Sequence, residues 1–91
     1  MSYTEFDKSP DAVLDYTFDW SQWIPLPGTI QSSTWSSDDG ITIDSNLYTD
    51  DKATVFLSGG VIGRKYIVSN TIVTNTGLTE TRSFIVHVQR R

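Results

Sequence analysis

The sequence LDYTFDWS at residues 14–21 decides the fold class. Its even positions are apolar and its odd positions are polar, which is the repeat of a β-strand that buries one face. A helix would instead scatter the four apolar side chains around its circumference. We therefore expect a first strand whose inward side chains are Leu14, Tyr16, Phe18 and Trp20.

Shorter strand signals follow this stretch and alternate with turn signals. Strands are predicted at 29–36, 41–43, 53–58, 66–74 and 79–89, with a polar connection at 44–51. Turns are predicted at 37–40, 59–63 and 75–77, where aspartate, asparagine and glycine are concentrated. The sequence IPLPG at residues 24–28 predicts a loop, because its two prolines remove backbone hydrogen-bond donors.

The segment from Gly63 to Val68 refines the fold class. It looks like the start of a late strand in fibronectin type III and related immunoglobulin-like domains, with the hydroxyl of Tyr66 expected to bond a nearby backbone group. The chain has no cysteine, which excludes the disulfide-bonded antibody type. We predict an all-β, immunoglobulin-like or fibronectin type III-like antiparallel β-sandwich of six to seven strands with no disulfide.

The length of 91 residues indicates one domain, because two units of half this size could not each bury a core. We assign residues 9–91 to the sandwich and residues 1–8 to an N-terminal arm, which should be mobile in an isolated domain. The apolar runs are far shorter than the ~20 residues that span a bilayer. Glu5 and Asp7 stand where a signal peptide would be basic. We expect a soluble protein that is made without export and contacts no membrane.

Charge and motif content disfavour several kinds of site. The formal net charge of −4 disfavours proteins that bind phosphates, so we expect no direct contact with nucleic acid. His87 is the only histidine, and no serine nucleophile motif or cysteine offers it a partner, so we expect no enzyme and no catalytic residues. The aspartates between 38 and 51 lack EF-hand spacing, and the glycines at 59–63 lack the ending of a phosphate-binding loop. Turn formation explains both, so neither a metal nor a cofactor is expected.

The tryptophans raise a different function. Exposed rings on a β-sandwich can bind carbohydrate, and single-stranded nucleic acid binders stack bases on such rings. Tyr16, Phe18 and Trp20 share a face with Leu14, so these rings are expected in the core, where each can bury on the order of 150 to 250 Å². Trp23 lies beyond the strand beside the proline loop, and both a core position and a partner contact stay open for it.

A series of motifs occurs in order along nearly the whole chain. They are Lys8–Asp11, Val13–Tyr16, Asp19–Ser21, Thr29–Ile30, Ser32–Trp35, Ala53–Val55, Leu57–Gly60, Gly63, Tyr66, Asn70 and Arg82–Phe84. In this order they resemble a family of small tailed-bacteriophage proteins described as fibre-tail adaptors or small immunoglobulin-like virion proteins. The resemblance covers the chain from Lys8 to Val88.

The resemblance implies a non-enzymatic virion structural protein, which we expect at the neck or tail as an adaptor that links fibres to the particle. Its partners would be other virion proteins, such as tail, neck, portal-associated or fibre proteins, with multiple copies in a symmetric assembly. We expect it in the virion, and in the host cytoplasm before assembly. Two alternatives stay open: decoration of the capsid lattice through the capsid protein, and carbohydrate binding to a host-surface glycan.

The expected contacts are the N-terminal arm, the sheet edges and the loops. The arm supplies Tyr3 and Phe6, and the loop supplies Trp23, Pro25 and Pro27. In a virion the arm would become ordered by pairing with the sheet edge of a neighbour. The outer faces of the sandwich are rich in serine, threonine and asparagine, which suit polar contacts between soluble subunits.

Overall fold

Two β-sheets account for the architecture of the computed structural model, which describes residues 4–25 and 27–89. The strands are β1 Thr4–Lys8, β2 Leu14–Asp19, β3 Ile30–Ser37, β4 Ile41–Tyr48, β5 Lys52–Gly59, β6 Lys65–Thr74 and β7 Thr79–Val88. Sheet 1 has the order β1-β7-β6-β3, and sheet 2 has the order β2-β5-β4. This arrangement confirms the predicted β-sandwich with an immunoglobulin-like division of strands between two sheets. Over the described ranges no helix has the length and apolar character needed to cross a bilayer.

The core lies between the sheets and is built by alternate residues of the central strands. Burial alternates along β5, β6 and β7. Val55, Leu57, Val68 and Val86 are completely buried. Removing such a side chain from water contributes roughly 1.5 to 3 kcal/mol. The strand predicted at 53–58 is the central strand of its sheet, since β5 lies between β2 and β4.

The inward face predicted from residues 14–21 is confirmed. Leu14, Tyr16 and Phe18 alternate with exposed residues along β2, and Trp20, just after the strand, is fully buried. The Tyr16 and Phe18 rings are partly buried and pack against the core. Their cover is incomplete because β2 is an edge strand with a single neighbour, β5.

The expected tyrosine contact occurs where the chain enters β6. The Tyr66 hydroxyl accepts a hydrogen bond of 2.9 Å from the backbone N–H of Val61. The Tyr66 ring also lies against Gly40, where a Cβ atom would stand 2.8 Å from Cε1 of the ring. Gly40 has a φ of +109°, so a side chain there would meet both backbone strain and the ring. The contact fixes the β5–β6 turn to the sandwich end that also carries the β3–β4 turn.

The third predicted strand is longer than expected, and the prediction of a polar connection at 44–51 is wrong for most of its length. β4 continues to Tyr48, and a register shift between Ile43 and Ser45 lets it stay paired with β5. The Thr49 N–H donates to the Lys52 carbonyl at 2.8 Å and closes the hairpin. Most of β4 beyond Ile43 is exposed, so no alternation of apolar residues marks it in the sequence.

The N-terminal segment is part of sheet 1. Thr4–Lys8 pairs in parallel with β7, from Thr4 opposite Phe84 to Lys8 opposite Val88. The predicted antiparallel arrangement therefore fails for this pair, while the other strand pairs are antiparallel. Residues 4–8, which we assign to the arm, form an edge strand that pairs with β7 along one side.

Candidate functional site

Backbone hydrogen bonds hold the described parts of the β2–β3 loop, residues 20–25 and 27–29. The Trp20 N–H donates to the Asp51 carbonyl at 2.7 Å, and the Ile24 N–H donates to the Trp20 carbonyl at 3.0 Å. The Gly28 N–H donates to the Pro25 carbonyl at 2.8 Å, and Ile24 is buried in the core. The loop is therefore anchored at both ends, and its outward side chains are held in place before any partner binds.

Three of the predicted contact residues lie together in this loop, and we call them the loop patch: Trp23, Pro25 and Pro27. Pro25 and Pro27 are exposed. Trp23 is half-buried, with its ring edge-on to Trp20 at 5.6 Å between centroids. Trp23 thus packs on the core with one side and leaves another side accessible, and its contact with a partner stays a prediction. Leu26 lies outside the described residues.

The loop patch shares its end of the sandwich with the β6–β7 turn. The Thr29 N–H donates to Oδ1 of Asn75 at 3.0 Å, and the Asn75 N–H donates to the Thr29 carbonyl at 2.9 Å. Leu78, in the same turn, is 42 % exposed. Two turns joined by paired hydrogen bonds therefore present apolar side chains at one end of the molecule.

The remaining tryptophans are not on the surface. Trp20 is completely buried, its Nε1 donates to Oδ1 of Asn70 at 3.0 Å, and the Arg82 guanidinium lies 4.2 Å from its ring centroid. Trp35 is 8 % exposed and stacks on Phe18. A carbohydrate-binding module needs exposed rings. Burial of two of the three tryptophans counts against the glycan alternative.

The entry to the loop carries a perturbed carboxylate. Oδ1 of Asp19 accepts a hydrogen bond of 2.9 Å from the Ser21 N–H. Hydrogen bonds from the Ser21 hydroxyl and then from its backbone lower the pKa of Asp19, and the charges of Lys52 and Arg82 act in the same direction. The carboxylate therefore stays ionised at neutral pH and holds the turn that follows β2.

The N-terminal contact residues lie on or before β1. Phe6 is 38 % exposed, and its ring packs against Tyr16 at 5.0 Å and Phe84 at 5.4 Å between centroids. Phe6 thus closes the side of the core between β1 and β2 and keeps an accessible edge. Tyr3 lies outside the described residues. Within those residues β1 pairs with one strand, β7, and no strand lies along its other edge, which we call the free edge.

Lys8 joins β1 to sheet 2. Its side chain is completely buried, and its Nζ donates to the carbonyls of Ser9 at 2.9 Å and Gly59 at 2.7 Å. Desolvation lowers the pKa of Lys8, and the nearby Asp11 and Asp44 charges partly offset this by raising it. No local pattern predicts this contact, because lysine is ordinarily exposed.

His87 meets two acids that are distant in sequence. Its Nδ1 lies 3.7 Å from Oε2 of Glu5 and 3.9 Å from Oδ1 of Asp7, and the possible ligand atoms of the three residues lie within 4.8 Å of one another. These are ligand types that a divalent cation takes. Lys65 already forms an ion pair with Glu5 at 3.3 Å, so one acid of the cluster joins β1 to β6.

Comparison with known proteins identifies one family. The model of the family described as podophage GP4 fiber-tail adaptor protein gp77 matches residues 8–87. No curated protein matches the chain. The match begins at the last residue of β1 and ends within β7, so it spans both sheets of the sandwich.

Proposed function

This chain belongs to the podophage GP4 fiber-tail adaptor protein gp77 family, and from that premise we propose that it is a non-enzymatic adaptor that links fibres to the particle at the neck or tail. The main support for the proposal is the extent of the family match. It covers residues 8–87, which is nearly the whole folded unit and not a short motif. The chain is thus a structural protein of the virion. Before assembly it would be found in the host cytoplasm.

The loop patch is the first proposed contact. Pro25 and Pro27 are exposed and conformationally restricted, and the hydrogen bonds of the loop hold Trp23 beside them. Ordering a loop on binding costs free energy, and a loop that is already ordered avoids most of that cost. A half-buried tryptophan is also the kind of side chain that anchors protein interfaces.

The free edge of β1 is the second proposed contact. A strand from a tail, neck, portal-associated or fibre protein could extend sheet 1 through backbone hydrogen bonds, with Phe6 at the side of the joint. β1 lies almost wholly before the family match, which begins at Lys8. Tyr3 would extend this contact. Several copies around a symmetric tail would each offer the same edge.

The adaptor role is tested with phage particles from which this chain has been removed genetically. We expect heads and tails to assemble but fibres to be missing, and a plasmid copy of the wild-type chain to restore them. Electron microscopy counts the fibres, and mass spectrometry of purified particles quantifies the chain. Full fibre occupancy without the chain would refute the adaptor role.

The contribution of the loop patch is tested by complementation with Pro25→Asp. A charge at an exposed proline should lower incorporation of the chain at least tenfold, because a carboxylate buried in an interface without a partner is strongly unfavourable. The matched control is Thr17→Asp, which places the same side chain at an exposed position of β2. If the two variants were incorporated equally, the loop patch would not be part of the interface. That result would not bear on the adaptor role itself.

A further inference from the structure

The outer face of sheet 1 has no charged residue over most of its area. It consists of alternate residues from Ser32 to Ser36 on β3, from Ile67 to Val73 on β6 and from Thr79 to Ile85 on β7, and we call it the neutral face. Its side chains are serine, threonine, isoleucine and valine. Among residues 4–25 and 27–89, charged groups lie only at its margin. Depletion of charge is the compositional mark of the centre of a protein interface.

Four hydroxyl groups of the neutral face form two pairs across β6 and β7. The Oγ atoms of Ser69 and Ser83 are 2.7 Å apart, and the Oγ1 atoms of Thr71 and Thr81 are 2.8 Å apart. A hydroxyl that loses water without gaining a partner destabilises an interface, whereas a hydroxyl that is already paired keeps its bond. Covering these four hydroxyl groups would therefore leave one hydrogen bond intact within each pair.

The outer face of sheet 2 offers a contrast within the same molecule. It has one similar pair, Thr17 and Thr54, with 2.8 Å between their Oγ1 atoms. On that strand Thr17 lies between two exposed acids, Asp15 and Asp19, and the partner position of Asp19 is Lys52. The absence of charge thus distinguishes the neutral face from the other broad face of the sandwich.

We propose that a second copy of this chain packs on the neutral face. Two copies each carry a formal charge of −4, so contact through sheet 2 would set the acids of one copy against those of the other. The neutral face avoids this repulsion on both partners at once, as a two-fold arrangement requires. The two sheets would stack face to face at a separation of about 10 Å.

The size of the neutral face sets the strength of the contact. Three strands about 4.8 Å apart and seven residues at about 3.4 Å each give a flat area of roughly 14 by 24 Å. Stable interfaces bury about 800 Å² on each partner, so this area forms a weak dimer. Copies held side by side in a particle reach a high local concentration, at which a weak contact is occupied.

Sedimentation equilibrium of the purified chain tests the proposal independently of the adaptor role. The chain is loaded at concentrations from about 10 µM to about 1 mM, the range of affinities expected for small interfaces. The mean mass of the wild type should rise from 10.2 kDa toward twice that value. A wild type that stays monomeric throughout, as it would if a different virion protein covers the face, overturns the proposal.

Two variants locate the contact. Thr81→Lys places a charge on the neutral face, and Thr17→Lys places the same charge on sheet 2; both positions are exposed, and each belongs to a threonine pair. Thr81→Lys should stay monomeric at concentrations where Thr17→Lys associates like the wild type, and circular dichroism checks that both are folded. Equal behaviour of the two variants contradicts the proposal.

NMR spectra of the wild type at several concentrations locate the contact independently. The amide resonances that shift on dilution should belong to β3, β6 and β7. Shifts centred on β1 or the loop patch would contradict the proposal.

Discussion

Replacing Trp20 with alanine is expected to lower the free energy of unfolding by about 3 to 5 kcal/mol, the cost of removing a large buried side chain. Trp20 is completely buried and its indole N–H bonds Asn70, so the variant loses packing and leaves a buried amide oxygen without this donor. Small domains are stabilised by only about 5 to 15 kcal/mol. Urea unfolding followed by circular dichroism should show a greatly lowered midpoint.

Two controls separate the causes of this effect. Trp23→Ala removes a half-buried ring and should cost roughly 1 kcal/mol. Trp20→Phe keeps most of the packing and should cost about 1 to 3 kcal/mol for the lost hydrogen bond. Trp35→Phe should cost less, because Nε1 of Trp35 has no hydrogen-bond partner in the part of the chain that the structure describes. If Trp23→Ala lowered the free energy of unfolding as much as Trp20→Ala, burial would not explain the contribution of Trp20 to stability.

Gly60→Ala should be the second strongly destabilising substitution, with a cost of about 3 kcal/mol from backbone strain and overlap together. Gly60 has a φ of +99°, and a Cβ atom there would stand 2.5 Å from Cγ2 of Val88. Val88 is completely buried at the end of β7, so it cannot move aside without disturbing the core. The measurement is again the free energy of unfolding in urea.

Gly63→Ala is the matched control for this substitution. Gly63 has a similar φ of +90°, but no atom of the described residues outside its chain neighbours lies within 4 Å of the added Cβ. It should therefore report the backbone strain alone, about 1 kcal/mol. Equal losses at Gly60 and Gly63 would mean that the close approach of the β5–β6 turn to β7 does not matter for stability.

The parts of the fold that follow local rules were predictable from the sequence. The alternation from Leu14 to Trp20 predicted which side chains face inward, because a strand with one buried face must repeat every two residues. The Tyr66 contact was predictable because a glycine-rich turn followed by a tyrosine at a strand start has one common solution. Both features depend on residues that are close in sequence.

The parts that depend on distant residues were not predictable. β1 has few apolar residues, and its register is set by β7, about eighty residues later. Nothing local marks Lys8 as buried, since its acceptor Gly59 lies on another sheet. The Glu5, Asp7 and His87 cluster exists only through the same parallel register. The neutral face likewise becomes visible only when the neighbours of β6 are known.

The three proposed partner surfaces lie on different parts of the molecule. The loop patch and the free edge of β1 are separate features of the sandwich. The neutral face lies on the outer side of β3, β6 and β7. An adaptor must hold at least two neighbours at once, and a rigid sandwich with principal-axis extents of 43 × 27 × 20 Å keeps such surfaces at fixed distances. The rings of the aromatic core meet at Phe84, which contacts Phe6, Tyr16, Phe18 and Trp35.

The position of this chain in an intact particle tests the adaptor role most directly. Cryo-electron microscopy of purified particles should show a two-layered density of 43 × 27 × 20 Å at the junction of tail and fibre. Its copy number should follow the rotational symmetry of the tail. The same density repeated over the head lattice in hundreds of copies would instead establish capsid decoration and contradict the adaptor role.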